Sequence, residues 1–359
     1  MPDPYSARDG LEASLPFLSR FLNELILSAG NHFGDENLYN RTPRRSNRLA
    51  ILHGLSWLFF ILAHARDLDE TYTLLSDEPS RHLMVQLLLY RVLGYKKVKL
   101  VTNTPDFWKR KNLAEGLLVR NAGELQVGGR MLSLFDLSPI GYPIKFRGTK
   151  NQVEQTFLAD AYQHGLGEPT SGMMQTGDCV IDAGACWGDT ALSFALEVGA
   201  TGIVYCFEFV EQNIEVFNEN LRLNPELAER IRIVPRPISD QSDRAVYYMA
   251  HGPSTRVATA KQRTADTEVR TISLDDFVIS NGIQKVDLIK MDVEGAELDA
   301  LKGAKATILK HHPKLAICVY HRKRDFIDIP RFISGLGLRY EYVLTHSTIH
   351  AYETVLLCH

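Results

Sequence analysis

The run Val180-Ile-Asp-Ala-Gly-Ala-Cys-Trp-Gly-Asp-Thr190, followed fourteen residues later by Val204-Tyr-Cys-Phe-Glu208, constrains this chain more than any other stretch. Val180 and Ile181 suit a buried strand, Gly184 and Gly188 let the backbone turn and pass close to a ligand, and Thr190 to Leu196 can pack as a helix on a sheet. The second segment reads as the next strand, ending in an acid. Two glycines at this spacing fit any tight strand-to-helix turn, but a carboxylate at the end of the following strand faces where a ribose diol would lie. The turn carries no Lys or Arg for a phosphate. It also departs from Gly-x-Gly-x-x-Gly, since Asp182-Ala-Gly184 lacks the first glycine of that pyrophosphate pattern. The motif therefore points to a nucleoside rather than a dinucleotide.

The 359 residues, 45% of them hydrophobic, are enough for two cores, and the chain is expected to fold throughout. Forty basic against forty-three acidic residues leave a formal charge of −3, so no global positive field recruits nucleic acid or an acidic membrane. Cys179, Cys186, Cys206, Cys318 and Cys358 form an odd set without a Cys-x-x-Cys pair, and no signal peptide precedes them. That fits a reducing cytoplasm better than a disulfide framework or a thiolate zinc site. The apolar stretch Leu55 to Ala65, bracketed by His53 and His64, is too short to span a membrane. It reads as a buried helix or one that joins subunits, which makes a homodimer an expectation.

The organisation changes near residue 165. Residues 1–164 read as an accessory or cap domain, helical and then built of short strands. Helices are expected over Leu11 to Ala29, 47–65 and 79–93, the last capped by Ser76-Asp77-Glu78-Pro79 and ended by Gly94. The basic run Arg41 to Arg48 lies between the first two. Lys97 to Val101 and several pieces from Leu117 to Phe146, interrupted by Gly128-Gly129 and Gly141-Tyr-Pro143, alternate as antiparallel strands do. Residues 165–359 alternate strand and helix. Strands are expected at Val180 to Asp182, Ile203 to Glu208, Ile231 to Val234, Val286 to Met291, Leu315 to Tyr320, Tyr340 to Leu344 and Thr354 to Cys358. Helices fit at Thr190 to Val198, Glu211 to Leu223, Glu297 to Leu309 and Ile327 to Gly335. The nine residues between the last two strands are too few for a crossover helix and imply an antiparallel pair at the sheet edge. The fold class is α/β: a seven-stranded, doubly wound Rossmann-like sheet with an antiparallel terminal hairpin, plus a mixed helical and β amino-terminal domain.

From about residue 165 the chain resembles the class I S-adenosylmethionine-dependent methyltransferases, and more narrowly the FkbM family of O-methyltransferases. Asp182-Ala-Gly-Ala-Cys-Trp-Gly188, Phe207-Glu208, Ile238-Ser-Asp240 and Leu288-Ile-Lys-Met-Asp-Val-Glu-Gly-Ala-Glu297 carry the resemblance. Cys186 stands where the family usually has asparagine, and Phe209 where proline commonly follows the acid. The resemblance implies that Asp182, Gly184, Ala185, Gly188, Glu208 and Asp240 hold S-adenosylmethionine. A positive sulfonium needs glycines and a nearby acid but no phosphate cradle, which agrees with the residues read alone. Glu208 would accept from the ribose and Asp240 from the adenine amino group.

Lys290, Asp292, Glu294 and Glu297 fall at the end of the fourth strand of this half, on the carboxyl edge where open sheets bind ligands. In a continuing strand Asp292 and Glu294 would point the same way. Glu297 by itself reads as a charge at a helix start. His321 follows the fifth strand on the same edge. Transfer to a hydroxyl needs linear approach and a route for the proton, so His321, Asp292 and Glu294 are the expected catalytic set, with His321 accepting or relaying the proton. His346 and His350, expected between the last two strands, could approach the same cleft. These groups also offer ligands to a divalent metal ion without specifying one. The expected activity is O-methylation of a small hydroxylated acceptor, a sugar or a secondary metabolite, walled by the amino-terminal half and the loop His251 to Thr267. An NAD-dependent oxidoreductase and a non-catalytic cofactor-binding scaffold are the alternatives.

Overall fold

The computed structural model describes residues 15–33, 47–159, 161–162, 173–250, 252, 255–258 and 267–359. The expected boundary at 164/165, most of the basic run from Arg41, the first residues of the Leu11 to Ala29 helix and most of the loop 251–267 lie outside them.

Five helices open the fold: α1 Pro16–Ala29, α2 Asn47–Ala63, α3 Ala65–Leu74, α4 Glu78–Leu93 and α5 Pro105–Gly116. The start of α4 follows from its sequence, because Asp77 Oδ1 accepts from Ser80 N at 2.6 Å and Pro79 occupies the first turn, where its missing amide costs nothing. Lys97 to Val101, expected as a strand, is a turn and irregular chain instead. Strands β1 Leu125–Val127, β2 Arg130–Asp136 and β3 Lys145–Gly148 form an antiparallel sheet, with Gly128 and Gly129 in left-handed conformations at the first turn. A short helix α6, Lys150–Gln152, runs on as a π-helical turn over Val153–Leu158.

The second half supplies β4 Cys179–Ala183, α7 Asp189–Glu197, β5 Ile203–Phe207, α8 Glu211–Leu223, α9 Pro225–Ala228 and β6 Ile231–Val234. A small antiparallel sheet of β7 Ala245–Tyr248, β8 Val257–Ala258 and β9 Thr267–Arg270 follows, then α10 Leu274–Ser280. The chain ends with β10 Leu288–Met291, α11 Glu297–Lys302, α12 Lys305–His311, β11 Lys314–Cys318, α13 Asp325–Ser334, β12 Tyr342–His346 and β13 Thr354–Cys358. The single helix expected over Glu297 to Leu309 is split at Gly303, where a Cβ would stand 2.0 Å from Ser239 O. Close approach of the neighbouring chain sets the break.

All seven expected strands lie in one sheet, ordered β12-β13-β11-β10-β4-β5-β6. Only β13 runs antiparallel to its neighbours, inserted between β11 and the edge strand β12. The sheet is therefore mixed. The direction of winding reverses between β4 and β10, which opens a crevice at their carboxyl ends. Central strands are buried on both faces: Ile181, Ile289 and Ile317 join one core, and Val180, Leu288 and Ala316 the other.

The first of these cores also contains Phe17, Phe21, Trp57, Ile61, Leu68 and Leu88, so α1 to α4 pack on the sheet. They close its edge as well. Ser76 N donates to Tyr342 O at 2.9 Å, Tyr342 N to Ser76 Oγ at 2.8 Å and Leu344 N to Ser80 Oγ at 2.8 Å, which satisfies the outer side of β12. In α2 the apolar residues divide between two faces. Trp57 and Ile61 are buried, whereas Ile51, Leu52, Leu55, Phe59 and Leu62 are exposed. No single helix among the described residues is long and apolar enough to cross a membrane.

Gly54 seats α2 on α4, since a Cβ there would lie 2.2 Å from Val92 O. Gly54→Ala should cost about 1–3 kcal/mol through overpacking against backbone. Urea denaturation measures it, and an unchanged midpoint would contradict this packing.

Candidate functional site

At the end of β4 the chain must turn within van der Waals contact of the segment leaving β10. Gly184, with φ of +84°, makes this possible: a Cβ there would sit 1.8 Å from Asp292 O. Gly188, at φ +85°, lies against the Phe217 ring, 2.3 Å from where its Cβ would be. A buried network fixes the turn. Lys290 Nζ donates to Asp182 Oδ1 and to Gly184 O, both at 2.9 Å, and Thr190 Oγ1 donates to Asp182 Oδ2 at 2.6 Å. Burial pulls the Lys290 ammonium down, but Asp182 and then Asp292 outweigh it and hold the group protonated.

One cavity lies against β5 and is lined largely by Phe207, Glu208, Phe209, Val210, Asn213, Pro237 and Ile238. Glu208 Oε1 accepts from Phe209 N at 2.6 Å and Val210 N at 2.7 Å, and Oε2 accepts from Asn213 Nδ2 at 3.0 Å. Asn213 is in turn oriented by Trp187, whose Nε1 donates to its Oδ1 at 3.0 Å. Burial pushes the Glu208 carboxyl up to about 7, partly offset by these donors. The result is a fixed carboxylate at the end of a mostly apolar slot.

A second, wider cavity of about 200 Å³ lies on the other side of the turn. Its lining is polar and includes Gln152, Thr156, Tyr162, Asp189, Tyr320 and Glu353. Gln152 Nε2 and Thr156 Oγ1 donate to Asp189 at 2.9 and 2.6 Å, which anchors α6 to the start of α7. Gly184, Cys186, Asp292 and Glu294 line both cavities, so the two spaces meet at the ends of β4 and β10. The strand does not continue to Glu294, as the sequence pattern assumed. β10 stops at Met291, and Glu294 and Gly295 take left-handed conformations, yet both acids reach the junction.

Asp292 is held by two phenols, Tyr162 Oη donating to Oδ2 at 3.1 Å and Tyr320 Oη to Oδ1 at 3.4 Å. Behind it lies His321, whose side chain is 3% exposed. Its Nε2 is 3.4 Å from Asp292 Oδ1 and 3.7 Å from Glu294 Oε2, and its Nδ1 is 2.9 Å from Glu297 Oε1. Burial alone would lower the imidazole, but Glu297, Asp292 and Glu294 together raise it to about 9. The three acids around it favour the charged imidazole. Glu297 is fully buried, and its Oε1 accepts from Val293 N at 2.9 Å and Gly295 N at 3.3 Å. The carboxylate therefore organises the preceding turn, where the sequence suggested only a charge at a helix start.

Residues 182–342 match the model of the methyltransferase FkbM domain. The chain carries an FkbM-family methyltransferase domain. It is similar to the 2-O-methyltransferase NoeI of Sinorhizobium fredii (strain NBRC 101917 / NGR234), 28% identical over 148 residues, covering 36% of this chain and 59% of that protein. A putative methyltransferase of Jannaschia sp. (strain CCS1) is 26% identical over 140 residues, with 34% of this chain and 49% of that one covered. The chain thus spans only about half to three-fifths of the length of these relatives. The crystal structure of methyltransferase FkbM from Methylobacillus flagellatus KT superposes with a TM-score of 0.54 at 18% identity, over 84% of this chain and 60% of that one, which shows a shared fold.

Within the FkbM domain, the sequence-predicted residues separate into those that reach the cavities and those that hold them in place. Gly184, Glu208, Asp292 and Glu294 line a cavity; Asp182, Ala185, Gly188, Asp240 and His321 line neither. Asp182 has both oxygens engaged within the core. Asp240 Oδ1 is 2.7 Å from Arg244 and accepts from Ser239 Oγ at 3.0 Å. His346 is the last residue of β12 rather than a loop residue. It hydrogen-bonds Thr354 Oγ1 through Nδ1 at 2.9 Å, and burial lowers it to about 3, so it is neutral. His350 contacts Tyr90 Oη at 3.2 Å. Asn213, Tyr162, Tyr320 and Glu353 went unread in the sequence. Only Asn213 left a signal there, five residues beyond Glu208 on the helix that follows it.

Asp292, Glu297 and His321 bring ligand atoms within 4.8 Å of one another, the arrangement a metal ion would need. The surrounding carboxylates favour a protonated imidazole, however, and a cation bound through His321 would have to displace that proton.

A folded-state value raised from 6.5 to about 9 makes protonated His321 worth roughly 3 kcal/mol to the fold. That stability is complete below pH 6.5 and lost as pH rises through about 9. Denaturation of the wild type and of His321→Gln across this range should show the wild-type advantage shrinking toward alkaline pH. A pH-independent difference would contradict a buried imidazolium.

Proposed function

We propose that this chain transfers a methyl group from S-adenosylmethionine to a hydroxyl of a small, polar, uncharged or cationic molecule. The observation that carries the reading is the junction: an apolar slot ending in a fixed carboxylate meets a polar cavity at Gly184, Cys186, Asp292 and Glu294. The residues lining the slot suit a nucleoside. Glu208 has acceptor capacity left for ribose hydroxyls, and Phe209 and Ile238 offer apolar cover for a base. The donor, when bound, supplies an electrophilic methyl on a positive sulfur.

The second cavity suits a hydroxylated acceptor because its walls present amides, hydroxyls and carboxylates. Asp189, Asp292, Glu294 and Glu353 line it against only Arg130 and Lys290 as cations, which disfavours an anionic acceptor. Similarity to a protein named as a 2-O-methyltransferase supports oxygen as the receiving atom. Asp292 would orient the acceptor hydroxyl, Glu294 would assist it, and His321 would act through them by holding both carboxylates charged and in place.

Isothermal titration calorimetry tests the donor half. The purified chain should bind S-adenosylmethionine and S-adenosylhomocysteine in preference to NAD, and Glu208→Ala should weaken binding by about 1–3 kcal/mol, the cost of losing charge-assisted hydrogen bonds. Tight NAD binding with no affinity for either sulfur compound would reverse the reading. Because a cation would have to displace the proton that the surrounding acids favour on His321, removal of divalent ions with a chelator should leave methyl transfer unchanged. Loss of turnover restored by one metal would make Asp292, Glu297 and His321 its ligands.

A further inference from the structure

The reaction proposed above leaves a proton to be removed, and each of the three residues expected to handle it is engaged with an oppositely charged side chain. His321 lines neither cavity, and the three acids around it favour its charged form. Asp292 accepts from Tyr162 and Tyr320 and lies 3.4 Å from the imidazolium. Glu294 is paired with Arg256 at 3.5 Å and His321 at 3.7 Å. A fourth carboxylate faces the same cavity. Glu353 lies in the loop between β12 and β13; Tyr320 hydrogen-bonds it, but among the described residues no Lys, Arg or His lies within ion-pair distance of it.

Its backbone is unusual. Glu353 has φ of +64°, a left-handed conformation that strains a non-glycine residue, immediately before β13. The loop is held in this shape from both sides: Arg91, at the end of α4, donates to Ala351 O, and Thr348 Oγ1 donates to Tyr352 O at 2.8 Å. Strain maintained by surrounding bonds is characteristic of residues set for function. We infer that Glu353 is the general base of this domain, lying at the acceptor cavity and taking the proton of the hydroxyl that is methylated. The inference rests on the methyl-transfer reading above.

The step balances. The acceptor oxygen forms a bond to the methyl carbon as the sulfur–carbon bond breaks, the sulfur keeps the electron pair, and the oxygen's proton passes to a Glu353 carboxylate oxygen. The groups that act on Glu353 are Asp292 and Glu294 after β10, Cys318, Tyr320 and His321 at the end of β11, and Tyr162. Burial, and then Asp292, push its carboxyl up, against the opposing effects of His321 and Tyr320. An acid–base group works best when its proton affinity is near the ambient pH.

The test uses the full chain labelled with δ-¹³C glutamate, in wild-type and Glu353→Gln forms. One carboxyl resonance, absent from E353Q, should titrate well above the ordinary value of 4.5. With S-adenosylmethionine and a panel of methyl glycosides of neutral hexoses, E353Q should bind the donor as the wild type does. It should lose roughly 10²–10⁴-fold in kcat with little change in KM, and lose the rise of rate with pH seen in the wild type. Glu353→Asp should restore part of that rise. A Glu353 resonance titrating in the ordinary range, or an E353Q protein with wild-type kcat and pH profile, would overturn the assignment. The titration needs no acceptor, so it decides even where no glycoside is methylated. A wild type that fails to bind S-adenosylmethionine would overturn the transfer reading itself, and is distinguished by calorimetry alone.

Discussion

The site depends on one buried ion pair. Lys290 and Asp182 sit on adjacent parallel strands, in register, at the point where the sheet reverses its winding. Neither charge would be tolerated there alone, because an unpaired charge in the core costs several kcal/mol. Paired, they have a further effect: the lysine's second bond, to Gly184 O, holds the turn, while Thr190 completes the carboxylate. The turn is thereby pressed against the chain leaving β10, and the two segments that build the junction of the cavities are fixed relative to each other. Gly184 and the ion pair are two parts of one device.

This explains how much of the site the sequence reveals. The seven strands announce themselves because central strands buried on both faces are nearly continuous apolar runs, and the turn because only glycine tolerates its conformations and contacts. A residue's place in a motif does not say which way its side chain faces, however. Asp182, in the most distinctive segment, turns into the core, and Asp240 pairs with Arg244, whereas Tyr162 and Glu353 belong to no motif and line the polar cavity. They come from segments far apart in the chain, assembled only when the amino-terminal half packs on the sheet. The helix register in α2 was likewise illegible, because a helix apolar on all sides has no periodicity to mark Trp57 and Ile61 as buried and Phe59 as exposed.

The chemistry follows the same division. On the donor side a single strand end and the next helix turn suffice, and Glu208 and Asn213 are five residues apart. On the acceptor side three elements converge: the turn after β10, the end of β11 and the loop before β13. Burying so many carboxylates together needs compensation, and His321 supplies it as a cation between Asp292, Glu294 and Glu297. The histidine expected as the proton acceptor lines neither cavity and stands between three acids, within ion-pair distance of each. Arg91 ties α4 to both Tyr320 O and Ala351 O, so the amino-terminal helices help to shape the acceptor cavity as well as cover the sheet.

The central claim is that the donor and acceptor spaces meet at Gly184, Asp292 and Glu294. A crystal structure with S-adenosylhomocysteine bound tests it most directly. The ribose should hydrogen-bond Glu208 and the sulfur should lie at the junction, directed toward the cavity lined by Tyr162, Tyr320 and Glu353. A ligand whose ribose is remote from Glu208, or whose sulfur points away from that polar cavity, would contradict it.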